Sequence, residues 1–198
     1  MGLALITAPT VEPITTAELK AHSHIDSSSE DSYLDTLISA GRRSAENFCR
    51  RAFIHQTWEL SMDLEPGLQI LRLPLPRLSS VTSIKWYDEA DTETLYAATN
   101  YRVDSTDDYG GRIALKDGHV WPSGLRYTNG LVIRYVAGYG ATAADVPADI
   151  KHAIKLLAAH WYENREPVNV GNIVNEIPLG GVGDMVKHLL YPYRVLRF

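Results

Sequence analysis

At 146–167 the chain reads VPADIKHAIKLLAAHWYENREP. Pro147 suits a first helical turn, Asp149 follows near the positive end of the helix dipole, and Arg165 stands near the negative end. The spacing predicts a helix over 147–165. Ile150, Ala153, Ile154, Leu157, Ala158 and Trp161 recur every three or four residues and gather on one face. Leu156, Ala159 and Tyr162 lie off that face. The apolar surface is therefore wider than a one-sided helix needs, and the helix should have more than one neighbour.

Working outward toward the N-terminus, Thr15 stands three residues before Glu18, the spacing of a capping box, so a short helix should run to about His22. Ser27, Ser28 and Ser29 offer cap hydroxyls, and Glu30 and Asp31 supply first-turn acids. Leu34, Leu37, Ile38, Gly41, Ala45 and Phe48 follow at helical spacing, which predicts a long helix over 30–51. Arg42, Arg43, Arg50 and Arg51 cluster toward its end, and the last two are expected to complement the helix dipole. A phosphate site is the lesser reading of that cluster.

Between these helices the period changes to two. Trp58, Leu60, Met62 and Leu64 alternate with polar residues as in a half-buried strand. Further strands are expected at 68–73, 81–87, 101–103, 112–115 and 131–136, separated by turns such as Glu65-Pro66-Gly67. The fold class is thus α+β. The economical arrangement packs 1–52 and 141–166 as a helical body and lets 53–140 project as an inserted antiparallel β domain. The remaining 167–198 form an extended C-terminal arm with a short helix at about 182–190. Its end, YPYRVLRF at 191–198, is too apolar and aromatic for a frayed tail: it folds back on its own domain or docks on another chain, and its composition favours docking.

With 198 residues the chain is long enough for a real core. Nineteen Lys and Arg stand against 24 Asp and Glu, a net charge of −5, which argues against a protein whose main task is neutralising phosphates. The single cysteine, Cys49, excludes an intramolecular disulfide and reads as a small buried thiol, suited to a reducing cytoplasm. The opening MGLALITAPT lacks the features of a signal peptide, Ile6 stands where a myristoylation signal needs Ser or Thr, and no stretch is apolar enough to span a bilayer. A soluble protein without membrane partners is expected.

The search for chemistry returns little. His22 and His24 sit at a helix end without further ligands, and His152 and His160 lie eight residues apart, too far along one helix to share an ion. His160 and Glu163 make one pair where a carboxylate-bridged di-metal site needs two. Gly180, Gly181 and Gly183 lack the Lys-Ser/Thr of a phosphate loop, and Gly138-Tyr139-Gly140 lacks the dinucleotide fingerprint, so both read as turns. Trp58, Trp86 and Trp121 alternate with too few cations for a nucleic-acid groove and read as core. No catalytic, metal or cofactor-binding residue is expected, and no enzyme.

Several stretches taken in order resemble the head-tail connector (adaptor) family of long-tailed bacteriophages and related gene transfer agents. They are ITTAELKAH at 14–22, AGRRSAENFCRRAFIHQTWEL at 40–60, LPLPRLSSVTSIKWYD at 73–88, VPADIKHAIKLLAAHWYENRE at 146–166 and LLYPYR at 189–194. HSHID at 22–26 departs from the Leu-Arg pair expected before Ile-Asp. The resemblance implies a structural protein of the virion head-tail junction, made in the bacterial cytoplasm and assembled as a dodecameric ring. The ring would bind the portal protein on one side, receive a stopper or tail-completion protein on the other, and pass DNA through its lumen without specific binding. Its acidic charge would keep that lumen non-sticky. On this resemblance Trp161, Tyr162 and Arg165 help build the body or subunit contacts, and Tyr191, Tyr193, Arg194, Leu196, Arg197 and Phe198 dock on the portal. The alternative is a small-ligand-binding or enzymatic β-domain protein unrelated to virions, with a pocket within 53–140. On the connector reading, 167–198 should be removable with loss of partner binding and no loss of fold.

Overall fold

The computed structural model describes residues 1–65, 67–106, 110–165 and 183–196. The fold is mixed, with four α-helices and antiparallel sheets among the described residues. The helices are α1 (Thr16–Ser23), α2 (Asp31–Cys49), α3 (Ala148–Glu163) and α4 (Gly183–Leu190). The strands are β1 (Gly2–Thr7), β2 (Gln56–Met62), β3 (Ile70–Leu73), β4 (Leu78–Tyr87), β5 (Glu93–Leu95), β6 (Tyr101–Asp104), β7 (Gly111–Leu115) and β8 (Leu131–Ala137).

The Thr15 capping box forms: the Thr15 hydroxyl accepts from the Glu18 amide at 3.1 Å, and the Glu18 carboxylate accepts from the Thr15 amide at 2.8 Å. The serines at 27–29 do not cap α2. Ser27 and Ser29 bond each other at 2.9 Å, and Glu30 takes the N-cap position without a side-chain bond, because its carboxylate is engaged elsewhere. The helix expected over 30–51 stops at Cys49, where Arg50 turns left-handed at φ 53°.

The wide apolar face of α3 is satisfied largely within the chain. Helix α3 packs against α1, α2 and α4, burying Ile150, Ala153, Ile154, Leu157 and Ala158, with Leu156, Ala159, Trp161 and Tyr162 partly covered around them. Gly41 lets α2 approach closely, since a Cβ there would stand 3.4 Å from the Ile154 side chain. Val186 and Leu190 of α4 are fully buried in the same core.

A second core lies between two sheets. One has the order β1-β2-β8-β4-β5 and the other β3-β7-β6, all pairs antiparallel. Leu60, Ile84, Ile133 and Tyr135 of the first meet Leu71, Leu73 and Ile113 of the second, with Trp121 against them. Most expected strands are present with shifted ends, but β1 and β5 were not anticipated. The extreme N-terminus, placed by sequence in the helical body, instead extends the five-stranded sheet through β1.

The chain crosses between helices and sheets on two adjacent segments. The Tyr139 amide donates to the Phe53 carbonyl at 3.1 Å and the His55 amide to the Gly140 carbonyl at 2.9 Å. Gly138 has φ +134°, and a Cβ on it would lie 2.5 Å from the Ile54 carbonyl oxygen, so the crossing is narrow enough to demand glycine.

Candidate docking surfaces

The end of α2 leaves carbonyls without helical partners, and the C-terminal segment supplies them. The Val195 amide donates to the Cys49 carbonyl at 2.9 Å, and the Cys49 thiol to the Leu190 carbonyl at 3.6 Å. Burial pushes that thiol up to about 12, as expected of an inert core cysteine. Arg51 is buried and donates from Nε to the Tyr193 carbonyl at 3.1 Å, so it anchors the segment and does not serve a helix dipole from the surface. Tyr193 donates its hydroxyl to Asp149 at 3.1 Å, and the Arg194 guanidinium stacks 5.0 Å from the Phe48 ring.

The C-terminal residues singled out by sequence therefore divide. Tyr193 and Arg194 are engaged within the chain, while Tyr191 and Leu196 are 59% and 65% exposed. Met185 is also exposed, and a shallow groove of about 500 Å³ runs past Asp184, Lys187, His188, Tyr191 and Pro192. Arg197 and Phe198 lie outside the described residues, as does most of the arm at 167–182.

Trp161, Tyr162 and Arg165 come together at the far end of α3. Glu30 accepts from the Tyr162 hydroxyl at 2.7 Å and from Arg165 Nη2 at 2.6 Å. Arg165 also lies over the Tyr33 ring at 4.9 Å, and Trp161 packs partly buried against the helical core. The bonds from Arg165 and then Tyr162 hold the Glu30 carboxyl below the usual carboxylate range. A depressed carboxyl stabilises the fold above its ordinary value, and this contribution is lost as pH falls through the lowered folded value. In an NMR titration the Tyr33 and Tyr162 ring signals should shift together below the ordinary carboxylate range, and Glu30→Gln should abolish that step. A step unchanged in the variant would assign it to another acid.

A polar network that sequence reasoning missed joins α2 to the first sheet. Arg42 donates to Glu12 and to Glu46, both at 2.7 Å. Glu46 also accepts from the Phe53 amide at 2.9 Å and from Gln56 Nε2 at 2.6 Å. The i, i+4 spacing of Arg42 and Glu46 was the available signal; the contacts with Glu12 and Gln56 come from tertiary structure.

The β region holds a cleft of about 370 Å³ lined by residues that include Leu64, Leu68, Leu115, Trp121 and Leu125. Among its described lining residues Glu65 is the one ionisable side chain, so it offers no acid–base pair. Among the described residues no cluster of His, Cys, Asp and Glu is placed to hold a metal, and no helix is long and apolar enough to cross a membrane.

A model of the head completion protein family matches residues 12–194. The fold is similar to a chain in the neck of an empty gene transfer agent particle computed with C6 symmetry, at 26% identity and TM-score 0.79, covering 100% of this chain and 97% of that one. The virion of a native gene transfer agent particle contains a chain with the same identity, coverage and TM-score. A third, in the neck of a native particle computed with C12 symmetry, is 28% identical over the same shares, with TM-score 0.73. No curated protein sequence matches significantly.

Proposed function

Because the chain belongs to the head completion protein family, matched over residues 12–194, we propose that it forms a dodecameric ring between the portal protein and a stopper or tail-completion protein. It is a structural head-tail connector of a phage or gene transfer agent particle. The observation that carries the reading is the likeness to neck chains along the whole of this chain, helices and sheets together. A part borrowed for another purpose would match over one core only.

The work is mechanical. A ring extends the DNA channel and presents repeated copies of one surface, so weak contacts at each copy sum to a joint that withstands the pressure of packaged DNA. Tyr191 and Leu196 are the described residues best placed to touch the portal: both project from a segment that Val195, Arg51 and Cys49 hold in place. A large side chain on a fixed support loses little freedom on binding. Tyr193 and Arg194 act behind them as anchors. The helix ends around Arg165 and Glu30 then set the shape of the body that neighbouring copies meet.

The reading is tested with Tyr191→Ala/Leu196→Asp, carried on a tagged gene in particle-producing cells. Both residues are exposed, so the purified variant should keep its unfolding midpoint within the small range usual for surface changes. Its recovery with portal protein is expected to fall at least tenfold. Undiminished portal recovery would remove Tyr191 and Leu196 from the docking surface; absence of the unmodified tagged chain from particles would remove the connector reading itself.

A further inference from the structure

The five-stranded sheet ends on an open edge at both sides: among the described residues β1 bonds only β2, and β5 bonds only β4. Open edges are templates for further strands, and proteins normally shorten, charge or cover them. All six residues of β1 are exposed. Leu3 pairs with Leu60 and Leu5 with Trp58, and those partners continue to Ile133 and Tyr135 in the buried face of the sheet. Leu3 and Leu5 thus extend the core face beyond the reach of the three-stranded sheet, and they stay 41% and 45% exposed.

Charge differs between the two edges. Beside β1 a cleft of about 350 Å³ is lined by Leu5, Trp58 and Leu75 together with Arg42 and Arg43. Arg42 is neutralised by Glu12 and Glu46, but Arg43 is exposed and no described acid pairs with it. At the opposite edge the turn into β5 carries Asp88, Glu89 and Asp91, β5 begins with Glu93, and it ends on Leu95, itself 64% exposed. One edge is apolar and basic, the other apolar and acidic.

Resting on the ring reading above, we infer that successive copies join edge to edge, with β5 of one laid against β1 of the next. Leu95 then covers the Leu3–Leu5 face, and the acidic turn approaches Arg43. The two surfaces differ and lie at opposite ends of one sheet, which makes the contact heterologous, the type that repeats around an axis and closes into a ring. Pairing consumes both open edges, so none is left to template aggregation except in the free subunit.

The test uses particles purified from cells carrying Leu5→Cys/Leu95→Cys, or either change alone, on a tagged gene, treated with a short bis-maleimide and run on a denaturing gel. Native Cys49 is buried and its thiol is pushed up to about 12, so it stays silent. The double variant should give a ladder of multiples of the subunit mass, and the single variants only monomer. Monomer alone from the double variant present in particles, or a band joining either introduced thiol to a different virion protein, would overturn the edge pairing and leave the connector reading intact. Absence of the unmodified tagged chain from particles would overturn the connector reading first.

Discussion

Leu190→Ala is expected to lower the unfolding free energy by about 2–5 kcal/mol, the range for deleting a fully buried leucine from a core that relaxes only partly. Leu190 is wholly buried where α4 closes on α3, in one core with Val186, Leu157 and Ile154. Its carbonyl accepts from the Cys49 thiol, and five residues later Val195 satisfies the Cys49 carbonyl. Domains commonly hold only about 5–15 kcal/mol in total, so the change consumes a large share of the reserve. It should appear in urea unfolding as a lower midpoint at unchanged slope. A loss below about 1 kcal/mol, at the level of a surface change, would mean that α4 peels away as an appendage.

That expectation reverses a conclusion drawn from sequence. The segment 167–198 reads as a detachable arm because Tyr, Val, Leu and Phe near a terminus suit a partner interface. The same residue types equally suit an own-chain core, and only tertiary structure decides which use prevails. Here Val186, Leu190 and Val195 point inward while Tyr191 and Leu196 point outward. Removing 167–198 would strip three buried side chains from the helical core, so docking is better examined at exposed positions than by truncation.

Elsewhere legibility follows the range of the interaction. The Thr15–Glu18 box and the apolar stripe of α3 are local and were readable residue by residue. So was the excess width of that stripe, although its neighbours proved to be α1, α2 and α4 of the same chain. Strand β1 was not readable: Leu3, Ala4, Leu5 and Ile6 show no alternation, since one face meets the edge of a core and the other meets solvent. Arg51 was misread because its partner is equally remote. A cation just past a helix end ordinarily serves the dipole, and nothing nearby in sequence shows that Tyr193 will arrive to accept from it.

The other large effect is expected at Glu46. This carboxylate is 12% exposed and takes donors from three parts of the chain: Arg42 of its own helix, the Phe53 amide at the crossing, and the Gln56 side chain at the start of β2, with Arg42 tied onward to Glu12. Glu46→Ala leaves buried Arg42 with Glu12 alone and strands the Phe53 and Gln56 donors, at a cost of about 3–5 kcal/mol. The anion is nonetheless expensive in itself. Burial pushes the Glu46 carboxyl up, outweighing the pull of Arg42 and the amide donors, so the folded chain holds that proton more tightly than the unfolded chain does. The linked stability is full below the ordinary carboxylate value and declines as pH rises through the raised folded value. Glu46→Gln keeps an oxygen for Phe53 and Gln56 and has no charge to desolvate. It should therefore lose less than half as much as Glu46→Ala and should flatten that decline. Urea unfolding of both variants across the carboxylate range measures the two effects together. Equal losses for Gln and Ala would show that the negative charge on Glu46, and not its accepting oxygens, holds the helices to the sheet.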